Sequence, residues 1–296
     1  MNNAGLKVKT KTIYLYVLPF FLLFIIAFVI PLLMAFGISF TNWRGGNKID
    51  FIALDNYIKL VKDETFWMSF LNNLKFMALM LVFQIGLAFC ICDCCAEQKS
   101  KIPGVPQKGY FPAFGFSLSV VVAMIWQIVY NKDIGLISAI MEKIGMEDIV
   151  PLWLDDPKIV IYSLAIVLIW QFVGQYVIIM MAGFQNVDTS LMEAAKIDGA
   201  SYSQTVRYVT LPLMKPTLSV CVTLCVSGCM KLFDTIYAMT GGGPGRSSTV
   251  TALYAYDVAF KTKQLSYASA VSIGMIILSV ILIGGVSRIF REKEEQ

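Results

Sequence analysis

The feature that most constrains this fold is a series of long runs without a charged residue. Four such runs cover residues 12–43, 109–131, 159–187 and 264–287, with lengths of 32, 23, 29 and 24 residues. Two further apolar runs contain charges, namely Lys75 in 66–92, and Lys231 and Asp234 in 216–239. About 20 apolar residues cross a bilayer as a helix, because a helix satisfies its backbone polar groups internally. The runs predict six spanning helices, at about 12–40, 66–92, 110–131, 159–184, 216–239 and 265–288.

The composition favours an all-α integral membrane protein. Hydrophobic residues make up 57% of the 296 residues and charged residues only 15%, whereas a soluble domain carries about 25% charge. Lys7, Lys9 and Lys11 precede the first run, as in a cleaved signal peptide. The run is too long for a signal peptide, however, and no small-x-small cleavage pattern ends it. We therefore expect a retained helix and a single transmembrane domain over residues 1–296.

Several classes of chemistry are disfavoured by what the chain contains. There is no histidine, which excludes Ser-His-Asp hydrolysis, His-ligated zinc and histidine proton relays. The net charge of +4 does not indicate a nucleic-acid partner. Seven cysteines occur, four of them in the stretch CICDCC at 90–95 and three spaced by four residues at 221, 225 and 229. A metal or redox site, palmitoylation and simple packing are alternative roles. Packing is favoured, because CICDCC lacks the paired spacing of zinc sites, and we expect no metal site.

The six-span topology places both termini on the same side of the membrane. The segments assigned to that side carry twelve Lys and Arg residues, against ten on the other side. This bias is small, but together with the lysine cluster before the first span it favours cytosolic termini.

A polar segment, residues 188–212, lies between two of the most apolar runs. Ser190 and Glu193 have the spacing of a capping box, and so do Ser201 and Gln204. Each pair predicts the start of a helix, because the two side chains satisfy otherwise unpaired backbone N–H groups.

The ends of these helices are also predicted. Gly199 stands where a helix end often requires a left-handed residue, and Leu211-Pro212 is expected to stop the second helix. Two short helices result, at about 191–198 and 202–210. Helices of this length are marginal alone in water, so they either pack on their own bundle or enter a groove on a second protein.

The same segment contains a longer pattern, E-A-A-x₃-G-x₉-I-x-L-P, with valine in place of isoleucine. The matching residues are Glu193, Ala194, Ala195, Gly199, Val209, Leu211 and Pro212. With this motif between the fourth and fifth spans, the chain resembles the permeases of binding-protein-dependent ABC importers. The stretches SFTNW (39–43), FDTIYAMTGGGPG (233–245) and SYASAVS (266–272) resemble the first permease type of the sugar-importer branch.

The resemblance covers essentially the whole chain and implies specific partners. These are a second homologous permease, two cytosolic ATPase subunits and an extracellular solute-binding protein, in a bacterial cytoplasmic membrane. The polar segment would be the coupling element that docks on the ATPase, with Glu193, Ala194, Ala195, Ile197, Asp198, Gly199, Leu211 and Pro212 as its residues. A purely local role for Glu193 as a helix cap and for Gly199 as a helix stop is compatible with docking.

The stretch TGGGPGRSS at 240–248 only superficially resembles a phosphate-binding loop. Thr240 occupies the first glycine position, Arg246 replaces the lysine, and a membrane helix rather than a strand precedes it. We therefore expect no cofactor on this chain and no enzymatic activity, with ATP bound by the partner subunits.

The charges and amides within the spans are candidates for a substrate path. Asp234, with Phe233 and Tyr237 beside it, could accept hydrogen bonds from sugar hydroxyls while the rings cover apolar faces. Alternatively, Asp234 forms an ion pair with Lys231 on one helix. Gln171 and Gln175 share a helix face and either line the path or bond to another helix.

Two other classes of protein are alternatives to an ABC importer permease. An ion-coupled secondary transporter would need internal inverted repeats and coupling-ion ligands near mid-membrane. The sequence shows neither, and Asp234 is the only acidic residue deep in a predicted span. An intramembrane enzyme is disfavoured by the missing histidine and by the isolated Asp234. We expect a permease subunit that imports a sugar, an oligosaccharide or a related polyol.

Overall fold

The computed structural model describes residues 10–98, 118–146 and 150–291, and this part of the chain is helical. An isolated antiparallel bridge joins Thr41 and Phe51. Fifteen α-helices follow one another in the described ranges, and short π-helical segments continue several of them. They are α1 (Thr10–Phe24), α2 (Ile30–Ile38), α3 (Asp55–Val61), α4 (Glu64–Leu79), α5 (Ile85–Gln98), α6 (Ser119–Val129), α7 (Leu136–Lys143), α8 (Val160–Gln185), α9 (Thr189–Ile197), α10 (Tyr202–Thr205), α11 (Leu211–Leu213), α12 (Lys215–Met230), α13 (Asp234–Thr240), α14 (Thr251–Tyr256) and α15 (Leu265–Arg291).

Four of these helices, taken with their π-helical continuations, are long and apolar enough to cross a membrane. They are Tyr14–Ile38, Glu64–Asp93, Val160–Gln185 and Leu265–Arg288. A fifth is added if the bent pair Tyr202–Leu213 and Lys215–Met230 counts as one span. Of the predicted span 110–131, the structure describes the 11-residue helix Ser119–Val129, and residues 110–117 lie outside the described ranges. The count of six spans therefore stays a prediction.

The chain divides into two compact units, of which the larger comprises Glu64–Tyr254 and Met275–Gln296. In it, α4 and α5, joined by the π-helical segment Met80–Gln84, pack on α8, while α12 packs on both α4 and α8. Helices α8 and α12 approach each other closely at Gly183. Any residue other than glycine there would place its Cβ atom 2.5 Å from Oγ1 of Thr217. The interior is formed by large apolar side chains, among them Phe66, Phe76, Leu164, Leu168, Met180, Met230, Ile236 and Leu253.

The cysteines of this unit whose side chains the structure describes lie mainly in its interior. Cys92, Cys221, Cys225 and Cys229 are buried, whereas Cys90 is exposed. Sγ of Cys229 lies 3.6 Å from Sδ of Met80, which is the kind of contact that soft, polarisable packing groups make. In the described ranges, no group of three or more His, Cys, Asp or Glu residues could hold a metal ion.

The smaller unit comprises Met1–Asp63 and Ala255–Gly274. Within it, the hydroxyls of Thr41 and Ser266 are hydrogen bonded at 2.9 Å, and the same serine accepts from the backbone N–H of Trp43. Nδ2 of Asn56 donates to the carbonyls of Ser39 and Thr41. The described side chains of helices α1 and α2 and of the π-helical segment between them are exposed or half-buried, as expected of a helix whose partners are lipid or another protein.

The predicted fifth span, 216–239, is not a continuous helix. Helix α12 ends at Met230, and α13 begins at Asp234 after an irregular residue, Phe233, with φ −151° and ψ −63°. In an unbroken helix the carbonyl of Cys229 would accept from the N–H of residue 233. Here Nδ2 of Asn73 donates to that carbonyl at 2.7 Å instead. A buried side chain on α4 therefore replaces a backbone partner at the break.

The predicted stop at Leu211-Pro212 is also wrong. Helix continues through Leu213, and the chain then bends by 72° before entering α12. The bend lies between Pro212 and Pro216. In a straight helix, the ring of Pro216 would clash with the carbonyl of Pro212, four residues earlier, and Pro216 has no N–H to donate to that carbonyl. The second proline therefore explains why the chain bends between the two.

Replacing Asn73 by leucine should destabilise the larger unit. Asn73 is 0% exposed, and its Oδ1 also accepts from the N–H and the hydroxyl of Thr251. Each buried partner left without a hydrogen bond costs about 1–3 kcal/mol, so we expect a clearly lower Tm in detergent. Leu71→Ala, at an exposed position of the same helix, is the matched control. An equal Tm for Asn73→Leu and the control would contradict this role.

Candidate functional site

The polar segment begins with a capped helix, but the cap is not the predicted one. Asp188 is the N-cap of α9, and its Oδ1 accepts from the N–H of Ser190 at 2.9 Å. This hydrogen bond holds the pKa of the Asp188 carboxyl below its usual value. The capping box predicted at Ser190 and Glu193 is therefore wrong, because a carboxylate two residues earlier supplies a charge-assisted cap.

The turn between the two helices is the predicted one. Gly199 has φ +79°, its N–H donates to the carbonyl of Lys196, and the N–H of Ala200 donates to that of Ala195. This pair of bonds is a Schellman motif, which requires a left-handed residue at this position. Helix α10 then starts with a complete capping box between Ser201 and Gln204, which confirms that prediction.

The residues predicted for ATPase docking lie mostly on the surface of this segment. Glu193, Ala194, Asp198, Gly199 and Pro212 are exposed, and Ala195 and Leu211 are half-buried. Ile197 is 86% exposed, which is unusually high for a β-branched apolar side chain. The segment thus presents an apolar group flanked by charges, without a covering element among the described residues.

At one end the segment follows α8 directly after Asn186 and Val187, and at Tyr202 it makes a polar contact with the rest of its unit. The hydroxyl of Tyr202 donates to Oδ2 of Asp93, which lies near the end of the helix formed by α4 and α5. At the other end, the bend of 72° after Leu213 leads directly into α12. The polar segment is therefore connected to α5, α8 and α12, three of the helices that form the interior of the larger unit.

A cavity of about 230 Å³ lies inside the same unit. Its walls come from the π-helical segment, from α6, α8 and α12, and from the break between α12 and α13. The lining residues are Met80, Gln84, Ser119, Leu168, Phe172, Gln175, Tyr176, Leu224, Cys225, Gly228, Lys231, Leu232, Phe233, Asp234, Thr235 and Ile236.

The structure places the predicted path residues in three different ways. Phe233, Asp234 and Gln175 line the cavity. Tyr237 is not among the lining residues, but its ring stacks on that of Phe233 with centroids 5.3 Å apart. Gln171 is buried and does not line the cavity. Its Nε2 donates to the hydroxyl of Ser119 and its Oε1 accepts from the hydroxyl of Thr235, both at 3.2 Å. Of the two alternatives for Gln171, the structure therefore shows the bond to another helix.

Lys231 and Asp234 do not form the ion pair considered for one helix. They lie on either side of the helix break, and no ion pair is recorded between these two described residues. Both side chains are exposed and both line the cavity. The cavity therefore contains one positive and one negative group together with amides and hydroxyls.

Sequence reasoning missed Gln84 and Lys231 as cavity residues. The sequence does contain an indication of the role of Gln84, because Gln84 is the only charged, amide or hydroxyl side chain between Lys75 and Asp93. For Lys231 the sequence suggests only a pairing with Asp234. The helix break that separates the two depends on Asn73, more than 150 residues away in the chain.

These features define a multi-helix membrane protein with an exposed, capped helix pair and an internal polar cavity. Residues 110–293 match the family described as the inner membrane component of binding-protein-dependent transport systems. A probable ABC transporter permease of Pyrococcus horikoshii is 34% identical over 276 residues, covering 88% of this chain and 93% of the relative. The chain belongs to this family of inner membrane transport components.

Other relatives and solved structures extend the likeness over most of the chain. The multiple sugar-binding transport system permease of Streptococcus mutans is 30% identical and covers 86% of both chains. The trehalose/maltose transport system permease of Thermococcus litoralis is 29% identical and covers 94% of both. A bacterial ABC transporter involved in the import of the acidic polysaccharide alginate shares the fold, with a TM-score of 0.79, 20% identity and 95% of both chains covered.

The turn at Gly199 can be tested by substitution. A Cβ at this position meets nothing within 4 Å, so Gly199→Ala adds only left-handed backbone strain, about 1–2 kcal/mol. We expect trypsin to cleave after the exposed Lys196 and Arg207 about 5- to 30-fold faster, because cleavage follows the population of the opened segment. Gly199→Asn is the matched control, since asparagine tolerates this conformation, and it should cleave more slowly than the alanine variant. Equal rates for both would contradict the strained turn.

Proposed function

We propose that this chain is one of two homologous membrane permeases of an ATP-driven sugar importer. The observation that carries the proposal is the family membership of the chain, combined with similarity over most of its length to sugar permeases. The transported solute would be a sugar, an oligosaccharide or a related polyol. The chain would supply half of the translocation pathway and no catalytic group of its own.

The exposed helix pair supports a docking role for the polar segment. Ile197 and Leu191 would enter an apolar groove on a cytosolic ATPase, with Glu193 and Asp198 at its rim. Buried apolar anchors within a charged rim are the common arrangement of protein interfaces. Two ATPase subunits would bind ATP on the cytosolic side of the two permeases. Closure of the ATPases would move the polar segment of this chain and the matching segment of the second permease.

The internal connections of the segment would carry that movement to the cavity. Helix α12, which follows the bend, lines the cavity through Leu224, Cys225 and Gly228. Asp93, the partner of Tyr202, belongs to the helix that continues into the cavity wall at Gln84. A displacement of the polar segment would therefore act on two walls of the cavity together.

The cavity supports a neutral, hydroxyl-rich solute. Asp234 can accept hydrogen bonds from hydroxyls and Gln175 can both donate and accept, while the ring of Phe233, backed by the stacked ring of Tyr237, covers an apolar sugar face. Its volume of about 230 Å³ is below the range of about 300–1,000 Å³ typical of small-molecule pockets. This size supports a site that a second permease completes.

The proposed topology has six spans in one transmembrane domain of a bacterial cytoplasmic membrane, with both termini in the cytosol. The third span would include Ser119–Val129 and residues before it. An extracellular solute-binding protein would deliver the sugar between the two permeases. A structural neighbour of this chain comes from an alginate ABC transporter solved with a pentasaccharide-bound periplasmic protein, which supports this partner.

Charge reversal at Glu193 tests the proposed docking surface. In the assembled importer, Glu193→Lys should lower retention of the ATPases on an affinity-tagged permease at least about 30-fold, because reversing the charge brings like charges together across the interface, which costs roughly several kcal/mol. Glu142→Lys makes the same charge change at an exposed position of α7 and should retain the ATPases.

Uptake by proteoliposomes tests the transport activity itself. Vesicles with both permeases, the ATPases and the binding protein would be offered radiolabelled maltose, trehalose, melibiose and raffinose. We expect ATP-dependent uptake of at least one of these sugars, lost in Glu193→Lys. Gradient-driven uptake by the purified chain alone would instead establish an ion-coupled transporter and overturn the proposal.

A further inference from the structure

A buried glutamine in the cavity wall has no hydrogen-bond partner among the described residues. Gln84 is 0% exposed, and neither its Nε2 nor its Oε1 is bonded within the part of the chain that the structure describes. It is also one of the residues that line the cavity. Buried amides are hydrogen bonded in most proteins, so an unpaired one calls for a physical explanation.

The other buried amides of the same unit show that this is a local exception. Gln171, on α8, is 1% exposed and bonded at both ends of its side chain, to Ser119 and Thr235. Asn72 and Asn73 are equally buried, and their amide nitrogens each find backbone carbonyls. These other buried amides of the unit are thus bonded, although the buried hydroxyl of Thr210 is, like Gln84, without a partner among the described residues.

The backbone at Gln84 is also irregular. Gln84 is the last residue of the π-helical segment Met80–Gln84, whose end is closed by a bond from the N–H of Ile85 to the carbonyl of Met80. Single π-helical turns inside α-helices occur frequently at functional sites, since the extra residue changes the direction in which side chains point.

We propose that Gln84 is a hydrogen-bonding contact for the transported solute, a role that rests on the proposed function. Its Nε2 would donate to one hydroxyl oxygen of a neutral sugar, and its Oε1 would accept from a second hydroxyl. An amide presents one donor side and one acceptor side, so it matches adjacent hydroxyls better than it matches a charged group. Gln175 and Asp234, on other walls of the same cavity, bind further hydroxyls of that sugar.

The proposal explains why the unpaired amide persists. Within the protein alone, an apolar side chain of similar length would be more favourable at a buried site without partners. The amide, which is 0% exposed in this structure, gains its partners only when the surrounding helices separate and solute enters the cavity. Gln84 is thus a specificity residue, which distinguishes a hydroxyl-rich solute from an apolar one by the cost of leaving its own polar atoms unpaired.

The test uses Gln84→Met in the complete importer, with whichever of the four sugars above shows the highest uptake in the wild type. We expect its uptake to fall about tenfold, the effect of roughly one lost hydrogen bond, while the Tm of the purified assembly stays equal or rises. Phe83→Met is the matched control, because Phe83 is 57% exposed and does not line the cavity. It should leave both uptake and Tm unchanged.

A second measurement distinguishes solute contact from a structural role. The wild type should transport the chosen sugar better than its monodeoxy analogues, and Gln84→Met should lose that discrimination for at least one analogue. Unchanged uptake, or a lower Tm with unchanged discrimination, would show that the amide binds interior water or supports packing, and would overturn the proposal. Gln84→Leu serves as a second variant, and failure of both variants to assemble would equally assign Gln84 to folding. If the wild type takes up none of the four sugars, the proposed function fails first.

Discussion

The side-chain amide of Asn73 is the interaction on which the cavity depends. By donating to the carbonyl of Cys229, it takes the place of the backbone N–H that would continue α12. The helix therefore opens, and residues 231–234, at and beside the break, all line the cavity. The other end of the amide accepts from Thr251, so one buried group holds both the break and the start of α14.

The bend after Leu213 has a comparable effect on the polar segment. Because Pro216 cannot donate a backbone hydrogen bond, the helix turns by 72° and then runs on as α12 instead of ending in a loop. In the proposed importer, the polar segment and α12 would thus be joined by a short, bent helical connection instead of a flexible linker. The bond from Tyr202 to Asp93 braces the segment against the neighbouring helix α5. Movement at the cytosolic surface would then be transmitted through the chain rather than absorbed by it.

Local chemistry predicts much of this fold, and long-range contacts decide the remainder. The charge-free runs identify the helices Val160–Gln185 and Leu265–Arg291, because a membrane interior admits few alternatives. The turn at Gly199 and the capping box at Ser201 follow from residues within five positions of each other. The break at 231–233 could not be predicted in this way, since its cause lies on α4. For the same reason the pairing of Lys231 with Asp234 was a reasonable hypothesis and is not what the structure shows.

The position of Cys225 gives the cavity wall a natural chemical reporter. Its thiol lines the cavity, yet only 1% of the residue is exposed. Small alkylating reagents would reach this sulfur only when the surrounding helices separate, whereas the exposed Cys90 would react in either state. The rate at which Cys225 is alkylated would therefore follow the opening and closing of the cavity, without any cysteine having to be introduced.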